Sequence, residues 1–391
     1  MDEVLRDIRV REALQQPDWL DLPQVARVGE ALAARPGLVR AEDLGALRAA
    51  LARVVDGEAL VIQAGDCAED PAESTATDVS RKVALLDLLA GTLRMTADKP
   101  VIRVGRIAGQ FAKPRSNPTE LVGDHLLPVF RGHMVNGPEP DPDTRCLDPL
   151  RILTCTMAAD DIMKHLGWQS PEPLRDPIGP PVWTSHEALL LDYELPMLRT
   201  AEDGRLYLGS THWPWIGERT RQPDGAHVAL LARVSNPVAC KVGPSMTPDE
   251  LLALCALLDP DREPGRLTLI ARMGADLVAD RLPRLVAAVR DEGHPVIWLT
   301  DPMHGNTVVA PDGNKTRRVD TVAQEVRRFQ EAVVGAGGVC GGLHLETTPH
   351  DVTECASDAA GLAHVGDKYL TFCDPRLNLR QAVSVVSTWN A

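Results

Sequence analysis

Short apolar runs that alternate with helical patterns make up most of the chain after its first fifty-odd residues. The runs are rich in Val, Ile and Leu and are bounded by Gly or Pro, which is typical of buried strands. We predict eight strands, at 59–65, 100–105, 181–186, 206–213, 237–243, 267–273, 295–300 and 341–346.

Helical patterns separate most of these strands. Thr247, Pro248 and Glu250 form a capping box ahead of one predicted helix. A second helix is predicted at 321–335, with one apolar face formed by Val322, Val326, Phe329 and Val333. Strands that alternate with helices form parallel βαβ units, and about eight units in this length favour a (β/α)8 TIM barrel in the α/β class over an open sheet.

Two segments depart from this rhythm. Residues 1–57 predict a helical N-terminal extension, in which Gly57 ends a helix with an apolar face formed by Leu44, Leu47, Leu51 and Val54. Residues 110–180, after the second strand, are rich in Pro, Arg and Asp and contain a helical pattern. An insertion of this kind usually forms an active-site wall or an interface. We therefore expect one barrel domain over 1–391 with these two additions.

Composition and charge narrow the functional class. The 391 residues are 44% apolar and 25% charged, as in globular proteins, with a net charge of −14. This charge argues against nucleic acid and anionic membranes as partners. The first residues lack an apolar run, and no stretch is long enough to span a bilayer. The eight cysteines form no CxxC pair, which favours reduced thiols and a cytoplasmic location.

Four residues with metal-binding chemistry follow predicted strands: Cys67, His304, Glu346 and Asp374. Alone, each has an ordinary alternative, such as a buried apolar thiol or a surface or capping acid. In a barrel, however, the strand ends gather at one face. A thiolate, an imidazole and two carboxylates there can hold Mn²⁺, Fe²⁺, Co²⁺ or Zn²⁺ and leave a position open for a substrate.

Basic residues also lie at or after the ends of predicted strands, and several are flanked by apolar residues. They are Arg106, Lys113, Arg115, Arg219, Lys241 and Arg272, with Ser116 beside them. Such cations need an anion, which is either a substrate phosphate or an internal partner such as Glu187, Glu218 or Asp301. There is no GxxxxGK[ST] motif and no GxGxxG after a strand, so no nucleotide site is predicted. A metal beside a phosphate site suits attack on a polarised carbonyl.

Longer motifs carry a resemblance to a known family. They are QAGDCAE, GRIAGQFAKPRS, RGHMVNG, TSHEALLLDYE, WIGERTRQPDGAHVAL, KVGPSM, DPMHGNT, VTEC and CDPRLN. From about Ala13 to Val383 the chain resembles the type II 3-deoxy-D-arabino-heptulosonate 7-phosphate (DAHP) synthases. The resemblance implies a metal-dependent (β/α)8 transferase, 3-deoxy-7-phosphoheptulonate synthase (EC 2.5.1.54). Enzymes of this family condense phosphoenolpyruvate with D-erythrose 4-phosphate and release phosphate, the first step of the shikimate pathway.

The resemblance also implies roles for single residues. The metal ligands fall on Cys67, His304, Glu346 and Asp374. The substrate contacts fall on Arg106, Lys113, Pro114, Arg115, Ser116, Glu187, Trp215, Glu218, Arg219, Lys241 and Arg272. Lys241, Glu218 and Cys67 are the catalytic candidates. Mn²⁺ is the favoured metal, with Co²⁺, Zn²⁺, Fe²⁺ or Mg²⁺ as alternatives.

The chain departs from the family in places. It is short, and Val308 stands where a His is common. The short form resembles members from phenazine and other secondary-metabolite pathways, so we predict little feedback by aromatic amino acids. We also expect a homo-oligomer, a dimer or a tetramer. Two alternatives stay open: a related barrel that condenses phosphoenolpyruvate with another sugar phosphate, and a non-catalytic regulatory or scaffold barrel.

Overall fold

A computed structural model describes residues 1–122, 124–169 and 181–390 of the chain, so part of the predicted insertion at 110–180 lies outside the described residues. Eight parallel strands form its central sheet. They are β1 (Leu60–Gly65), β2 (Val101–Arg106), β3 (Trp183–Thr184), β4 (Trp215–Ile216), β5 (Val238–Val242), β6 (Leu267–Ala271), β7 (Ile297–Thr300) and β8 (Cys340–Glu346).

The sheet closes into a barrel. Its hydrogen-bonded order is β3-β2-β1-β8-β7-β6-β5-β4. The two outer strands then meet through a parallel bridge between Glu187 and Trp215. Trp215 donates its backbone N–H to the His186 carbonyl at 3.0 Å, and Ala188 donates to the Trp215 carbonyl at 3.0 Å. The predicted (β/α)8 barrel is confirmed.

The fourth predicted strand is wrong. Residues 206–213 were expected in the barrel, but Leu206–Leu208 pairs antiparallel with Leu198–Thr200 in a small hairpin, and Trp215–Ile216 takes the barrel position. The hairpin strand ends before Gly209, where the backbone packs closely against Gly37 and leaves little room for a side chain. The third strand is also shorter than predicted, since within 181–186 only Trp183–Thr184 forms regular strand.

Eleven α-helices surround the barrel within the described ranges. They are α1 (Asp2–Arg9), α2 (Leu22–Ala33), α3 (Ala41–Val55), α4 (Ala76–Ala97), α5 (Leu150–His165), α6 (Leu191–Glu194), α7 (Ala226–Leu231), α8 (Pro248–Leu258), α9 (Val278–Asp291), α10 (Val319–Gly335) and α11 (Leu379–Val386). Short 3₁₀ turns lie at Pro71–Glu73, Leu195–Met197 and Ala360–Lys368. None of the described helices has both the length and the apolar content needed to cross a membrane.

The helix predictions are confirmed where they were specific. Thr247 and Glu250 form the reciprocal capping box that begins α8. The four apolar residues predicted on 321–335 are all buried in α10, and those predicted on the third N-terminal helix are buried in α3. These faces were predictable because apolar residues at helical spacing must pack against a core.

Alternation along each strand divides the core into two layers. On β1, Leu60 and Ile62 pack outward with the surrounding helices, whereas Val61 belongs to the inner cluster. At the end of the barrel where the strands begin, the amino face, α3 covers this inner cluster. Val54 of α3 lies beside Gly341 at the start of β8. The amino face is therefore filled with apolar side chains.

Two hairpins stand at the opposite end, the carboxyl face, where the strands end. One pairs Thr119–Val122 with His125–Pro128 and belongs to the predicted insertion. The other pairs Thr307–Val309 with Lys315–Arg317. Residues of both hairpins line the cavity described next.

Candidate active site

A cavity of about 560 Å³ opens at the carboxyl face. All the predicted site residues line it except Cys67 and Glu346, which lie buried next to it. The lining residues predicted from sequence are Arg106, Lys113, Pro114, Arg115, Ser116, Glu187, Trp215, Glu218, Arg219, Lys241, Arg272, His304 and Asp374. They come from separate strand ends and loops, so the barrel closure brings together positions far apart in sequence.

Three of the four predicted metal ligands converge. Single donor atoms of Cys67, Glu346 and Asp374 all lie within 4.8 Å of one another. The Cys67 Sγ is 3.6 Å from the Asp374 Oδ2. His304 lies just outside this group, with its Nε2 at 3.2 Å from the Glu346 Oε1. The structure thus places all four residues at one corner of the cavity.

The two carboxylates of this corner are held in the ionised form. Burial opposes the charge of Glu346, but His304, Lys113 and Arg317 outweigh it and hold the pKa of Glu346 well below its usual range. Burial likewise opposes the charge of Asp374, and Lys113 is the main group that lowers its pKa. The Lys113 Nζ lies 3.5 Å from an oxygen of each carboxylate.

The pKa of the Cys67 thiol shifts in the opposite direction to that of the two carboxylates. Burial, a hydrogen bond with Cys373 and the nearby Glu346 raise the pKa of Cys67 well above its usual value. A thiolate in this position therefore needs a further cation beside it. The donor set of a thiol, two ionised carboxylates and an imidazole fits a divalent transition metal. Cys67, His304, Glu346 and Asp374 could hold such an ion.

Asp301 orients two of the predicted residues at once. Its Oδ2 accepts hydrogen bonds from the Lys241 Nζ at 2.5 Å and from the His304 Nδ1 at 2.7 Å. The second bond turns the His304 Nε2 toward Glu346, as carboxylate partners of metal-binding histidines do. For Lys241, the internal ion pair considered from sequence is thus present. Burial nevertheless lowers the pKa of Lys241 to about 8, with Arg106 adding to the effect.

Arg106 is held by three groups inside the barrel. Its Nε donates to the Asp66 carbonyl at 3.0 Å and its Nη2 to the Glu346 Oε1 at 3.0 Å, while the His344 Nε2 lies 2.6 Å from its Nη1. The guanidinium also lies over the Trp215 ring at 5.2 Å. Its orientation toward the cavity is therefore fixed before any ligand binds.

Arg317 was not predicted from sequence. It is fully buried, lines the cavity and donates from Nη1 to the Glu346 Oε2 at 2.8 Å. Its Nη2 has no hydrogen-bond partner within the part of the chain that the structure describes. The local sequence KTRRVD looks like a solvated charge run, and only the hairpin turns this arginine inward.

The outer part of the cavity is also basic. Arg219 donates from Nη2 to the Ser116 hydroxyl at 2.8 Å, and Arg272 donates from Nη2 to the His304 carbonyl at 2.8 Å. Arg115 lies 3.6 Å from Glu120 of the first hairpin. These cations leave several N–H groups available to an anionic ligand.

Two buried carboxyl oxygens in the cavity wall accept no hydrogen bond from the described residues. The Glu187 Oε1 and the Glu218 Oε2 have no hydrogen-bond donor among the described residues. Burial raises the pKa of Glu187, although Lys113 and Lys241 counteract part of the effect. Glu218 pairs with Arg221 at 2.9 Å through its other oxygen. Both side chains could accept or donate a proton at a bound ligand.

Comparison with known proteins matches the sequence of the chain to a family. The sequence model of the class-II DAHP synthetase family matches residues 4–176 and 163–388. A Pseudomonas fluorescens protein named "Probable phospho-2-dehydro-3-deoxyheptonate aldolase" is 61% identical over 391 residues, covering 100% of this chain and 98% of that protein.

Two further relatives are named phospho-2-dehydro-3-deoxyheptonate aldolase. The Streptomyces coelicolor protein is 40% identical over 421 residues, which cover 95% of this chain and 93% of the relative. The Mycolicibacterium smegmatis protein, with the name ending AroG, is 36% identical over 427 residues, which cover 96% and 91%. With the family match over nearly the whole length, the chain belongs to the class-II DAHP synthetase family.

Proposed function

We propose that this protein catalyses the metal-dependent condensation of phosphoenolpyruvate with D-erythrose 4-phosphate to DAHP and phosphate. The observation that carries the proposal is the corner of Cys67, Glu346 and Asp374, which adjoins a cavity lined by cations. The names of the three relatives describe the same product class.

Cys67, His304, Glu346 and Asp374 are the proposed metal ligands. A bound divalent ion, with Mn²⁺ as our first choice, would supply Lewis-acid polarisation of the aldehyde of erythrose 4-phosphate. Asp301 holds the His304 ring in place through the bond to Nδ1. Lys113, beside both carboxylates, balances their charge in the free protein.

Phosphoenolpyruvate is proposed to bind against Arg106, Lys241 and Arg272, with Glu218 and Arg219 at the edge. These groups supply charge-assisted hydrogen bonds to a carboxylate and a phosphate. Trp215, which lies under both Arg106 and Lys241, gives the ligand an apolar wall. The preset orientation of Arg106 reduces the ordering that binding requires.

Erythrose 4-phosphate is proposed to bind along Lys113, Pro114, Arg115 and Ser116. Arg219 contacts the Ser116 hydroxyl and so connects this loop to the phosphoenolpyruvate side. In the reaction, C3 of phosphoenolpyruvate forms a bond to the aldehyde carbon, and water adds to C2. The aldehyde oxygen takes up a proton and becomes a hydroxyl, and the added water gives up its protons. The bond from C2 to the phosphate-bearing oxygen breaks, so that inorganic phosphate leaves and C2 becomes a ketone carbon.

Lys241 and Glu218 are the proposed proton carriers. The ammonium of Lys241, with its pKa lowered to about 8, can give up a proton near neutral pH more readily than an ordinary lysine. The Glu218 Oε2, which has no hydrogen-bond donor among the residues that the structure describes, can hold the attacking water. Glu187 faces the same space and completes the polar wall.

The location, assembly, pathway and regulation of the enzyme are also proposed. We place it in the cytoplasm, as a homo-oligomer that begins the shikimate pathway, in the service of secondary metabolism and with little inhibition by aromatic amino acids. Its likeness in length to the 61% identical relative supports the short form of the family. Micromolar inhibition of turnover by Phe, Tyr or Trp would contradict the last point.

Product analysis tests the proposal. Purified protein with Mn²⁺ is incubated with phosphoenolpyruvate and, in separate reactions, erythrose 4-phosphate or arabinose 5-phosphate. We expect phosphate release and a seven-carbon product with erythrose 4-phosphate. Turnover with the five-carbon sugar alone would support the related barrel, and no turnover with either sugar would support the scaffold alternative.

A further inference from the structure

Glu325 is a buried carboxylate on α10 that the proposed mechanism does not use. It reaches from outside the barrel to the loops that follow β6 and β7. Its Oε1 accepts the backbone N–H groups of Met273 at 3.1 Å and Gly274 at 3.0 Å. Its Oε2 accepts from the Asn306 Nδ2 at 2.5 Å. One carboxylate therefore holds three donors from two loops.

The two loops contact each other directly around this carboxylate. The Asn306 Oδ1 accepts the Ala275 N–H at 3.0 Å, and its Nδ2 also donates to the Pro302 carbonyl at 2.8 Å. A Cβ on Gly305 would lie 2.3 Å from the Gly274 nitrogen, so the loop backbones touch. The contact places Arg272, in one loop, within hydrogen-bond distance of the His304 carbonyl in the other.

Burying the ionised carboxylate of Glu325 at this position costs free energy. All three of its donors are neutral N–H groups, and Asp301, which faces it from the β7 loop, has the same sign. On its own helix, Arg328 donates instead to the Ala275 carbonyl and lies 3.9 Å from Asp276. No cation among the described residues pairs with Glu325, and burial of an unpaired carboxylate is unfavourable, so a role beyond stability is indicated.

We propose that Glu325 is a positioning residue that holds Arg272 and His304 toward the same cavity by joining the two loops that carry them. The inference rests on the proposed function, because it takes Arg272 as a phosphoenolpyruvate contact and His304 as a metal ligand. A glutamine cannot replace the carboxylate. In either orientation its NH₂ group would face an N–H donor of one loop.

The test compares Glu325→Gln with Glu331→Gln, which removes the same charge from an exposed position on the same helix. The readouts are the Kd for Mn²⁺ on chelator-stripped protein and the Kd for phosphoenolpyruvate on the Mn²⁺-loaded protein, both measured without the sugar. We expect Glu325→Gln to weaken both by about tenfold, as loss of partners behind a ligand does. Glu331→Gln should leave both unchanged.

A rescue variant separates positioning from general damage. In Glu325→Gln with Asn306→Asp, the Gln oxygen accepts from the β6 loop and its NH₂ donates to the new aspartate. That aspartate can still accept the Ala275 N–H. The bond from residue 306 to the Pro302 carbonyl is lost in this variant, so we expect it to recover part of both affinities. Should Glu325→Gln not fold, Asn306→Ala is the second variant. It removes one of the three donors to Glu325 together with the acceptor of the Ala275 N–H, and we expect it to weaken both affinities by about threefold.

Two results would overturn the inference. One is a Glu325→Gln protein that binds both ligands as Glu331→Gln does. The other is a loss of thermal stability with unchanged affinities in the folded protein, which would make Glu325 merely structural. Failure of this inference can be distinguished from failure of the proposed function. If the proposed function is wrong, wild-type protein binds Mn²⁺ but forms no product with the sugar. The comparison of Mn²⁺ affinity between the two variants still tests Glu325 in that case.

Discussion

The two ends of the barrel differ in chemistry although the same strands build both. Side chains two positions apart on a strand point to the same side. Inside the barrel, the residue nearer the amino face is apolar and the one two positions later is charged. The pairs are Val104 and Arg106, Ala239 and Lys241, Ile270 and Arg272, and Leu299 and Asp301.

Within one strand, the apolar residue near the amino face contributes to stability, whereas the charged residue near the carboxyl face contributes to the proposed reaction. At the amino face, burial of apolar area under α3 stabilises the fold. At the carboxyl face, buried charges such as Lys241 and Asp301 pair with one another at a desolvation cost that burial elsewhere must offset. Changes at the two faces should therefore have different consequences, which the following variants examine.

The largest effect is expected from a serine substitution at Cys67, two residues after β1, and a serine substitution in β8 is its matched control. Cys67→Ser, at the carboxyl face, should lower turnover by at least about 1,000-fold, since Lewis-acid assistance contributes several kcal/mol. Cys340→Ser, at the start of β8 near the amino face, should retain turnover. Steady-state kinetics with saturating Mn²⁺ measures both. Equal turnover in the two variants would contradict the difference between the faces.

A substitution of an apolar residue at the amino face is expected to lower stability and to leave turnover unchanged. Leu51→Ala, in the fully buried face of α3, should lower the free energy of unfolding by about 4 kcal/mol through the cavity it leaves. Turnover of the folded protein should be unchanged. Urea denaturation gives the first quantity, with Leu20→Ala, at a position 93% exposed, as the control. Loss of activity without loss of stability would show that the faces are not separate.

Glu325 links stability to pH. Burial raises its pKa from 4.5 to about 7, although the three N–H donors favour the carboxylate and counteract part of this effect. Protonation is therefore more favourable in the folded state than in the unfolded state. The stability that this preference contributes is fully present below pH 4.5 and is lost as the pH rises through about 7. The shift corresponds to about 3 kcal/mol.

Denaturation across this pH range measures the linkage. The free energy of unfolding of the wild type should fall by about 3 kcal/mol more between pH 4.5 and 7.5 than that of Glu325→Gln, which lacks the titrating group. Parallel pH profiles for the two proteins would show that the carboxylate is ionised at little cost.

The smallest effect is expected at the outer rim of the carboxyl face. Ser116→Ala removes the hydroxyl that accepts from Arg219. At this exposed contact the loss should raise the KM for erythrose 4-phosphate by about fivefold, the equivalent of one modest hydrogen bond. The KM for phosphoenolpyruvate in the same variant is the internal control. A change in that constant instead would assign Ser116 to the other substrate.

Much of this arrangement could be predicted because the charged residues interrupt apolar runs. Lys241 within VACKVG and Arg272 after LTLIA mark the point where a strand reaches the carboxyl face. The fourth strand was missed because only Trp215–Ile216 pairs, between Pro214 and Gly217, which is too short to show a pattern. Leu206–Leu208 next to it has a stronger strand signal but pairs outside the barrel.

Other site residues depend on partners that only the fold supplies. Asp301 lies three positions before His304, a spacing that could have suggested their hydrogen bond. Arg317 and Glu325 have no such local signal, because the loops they contact lie elsewhere in the chain. Sequence patterns thus indicate which residues reach the carboxyl face, whereas the residues that hold them in place require the structure.

The most direct test of this account is a titration of chelator-stripped wild-type protein with Mn²⁺. Bound metal and the consumption of phosphoenolpyruvate in the presence of erythrose 4-phosphate are followed together. We predict that turnover is absent without metal, rises in proportion to bound Mn²⁺ and stops rising when each chain holds one ion. Full turnover by the stripped protein, or saturation of the metal site without turnover, would contradict the account.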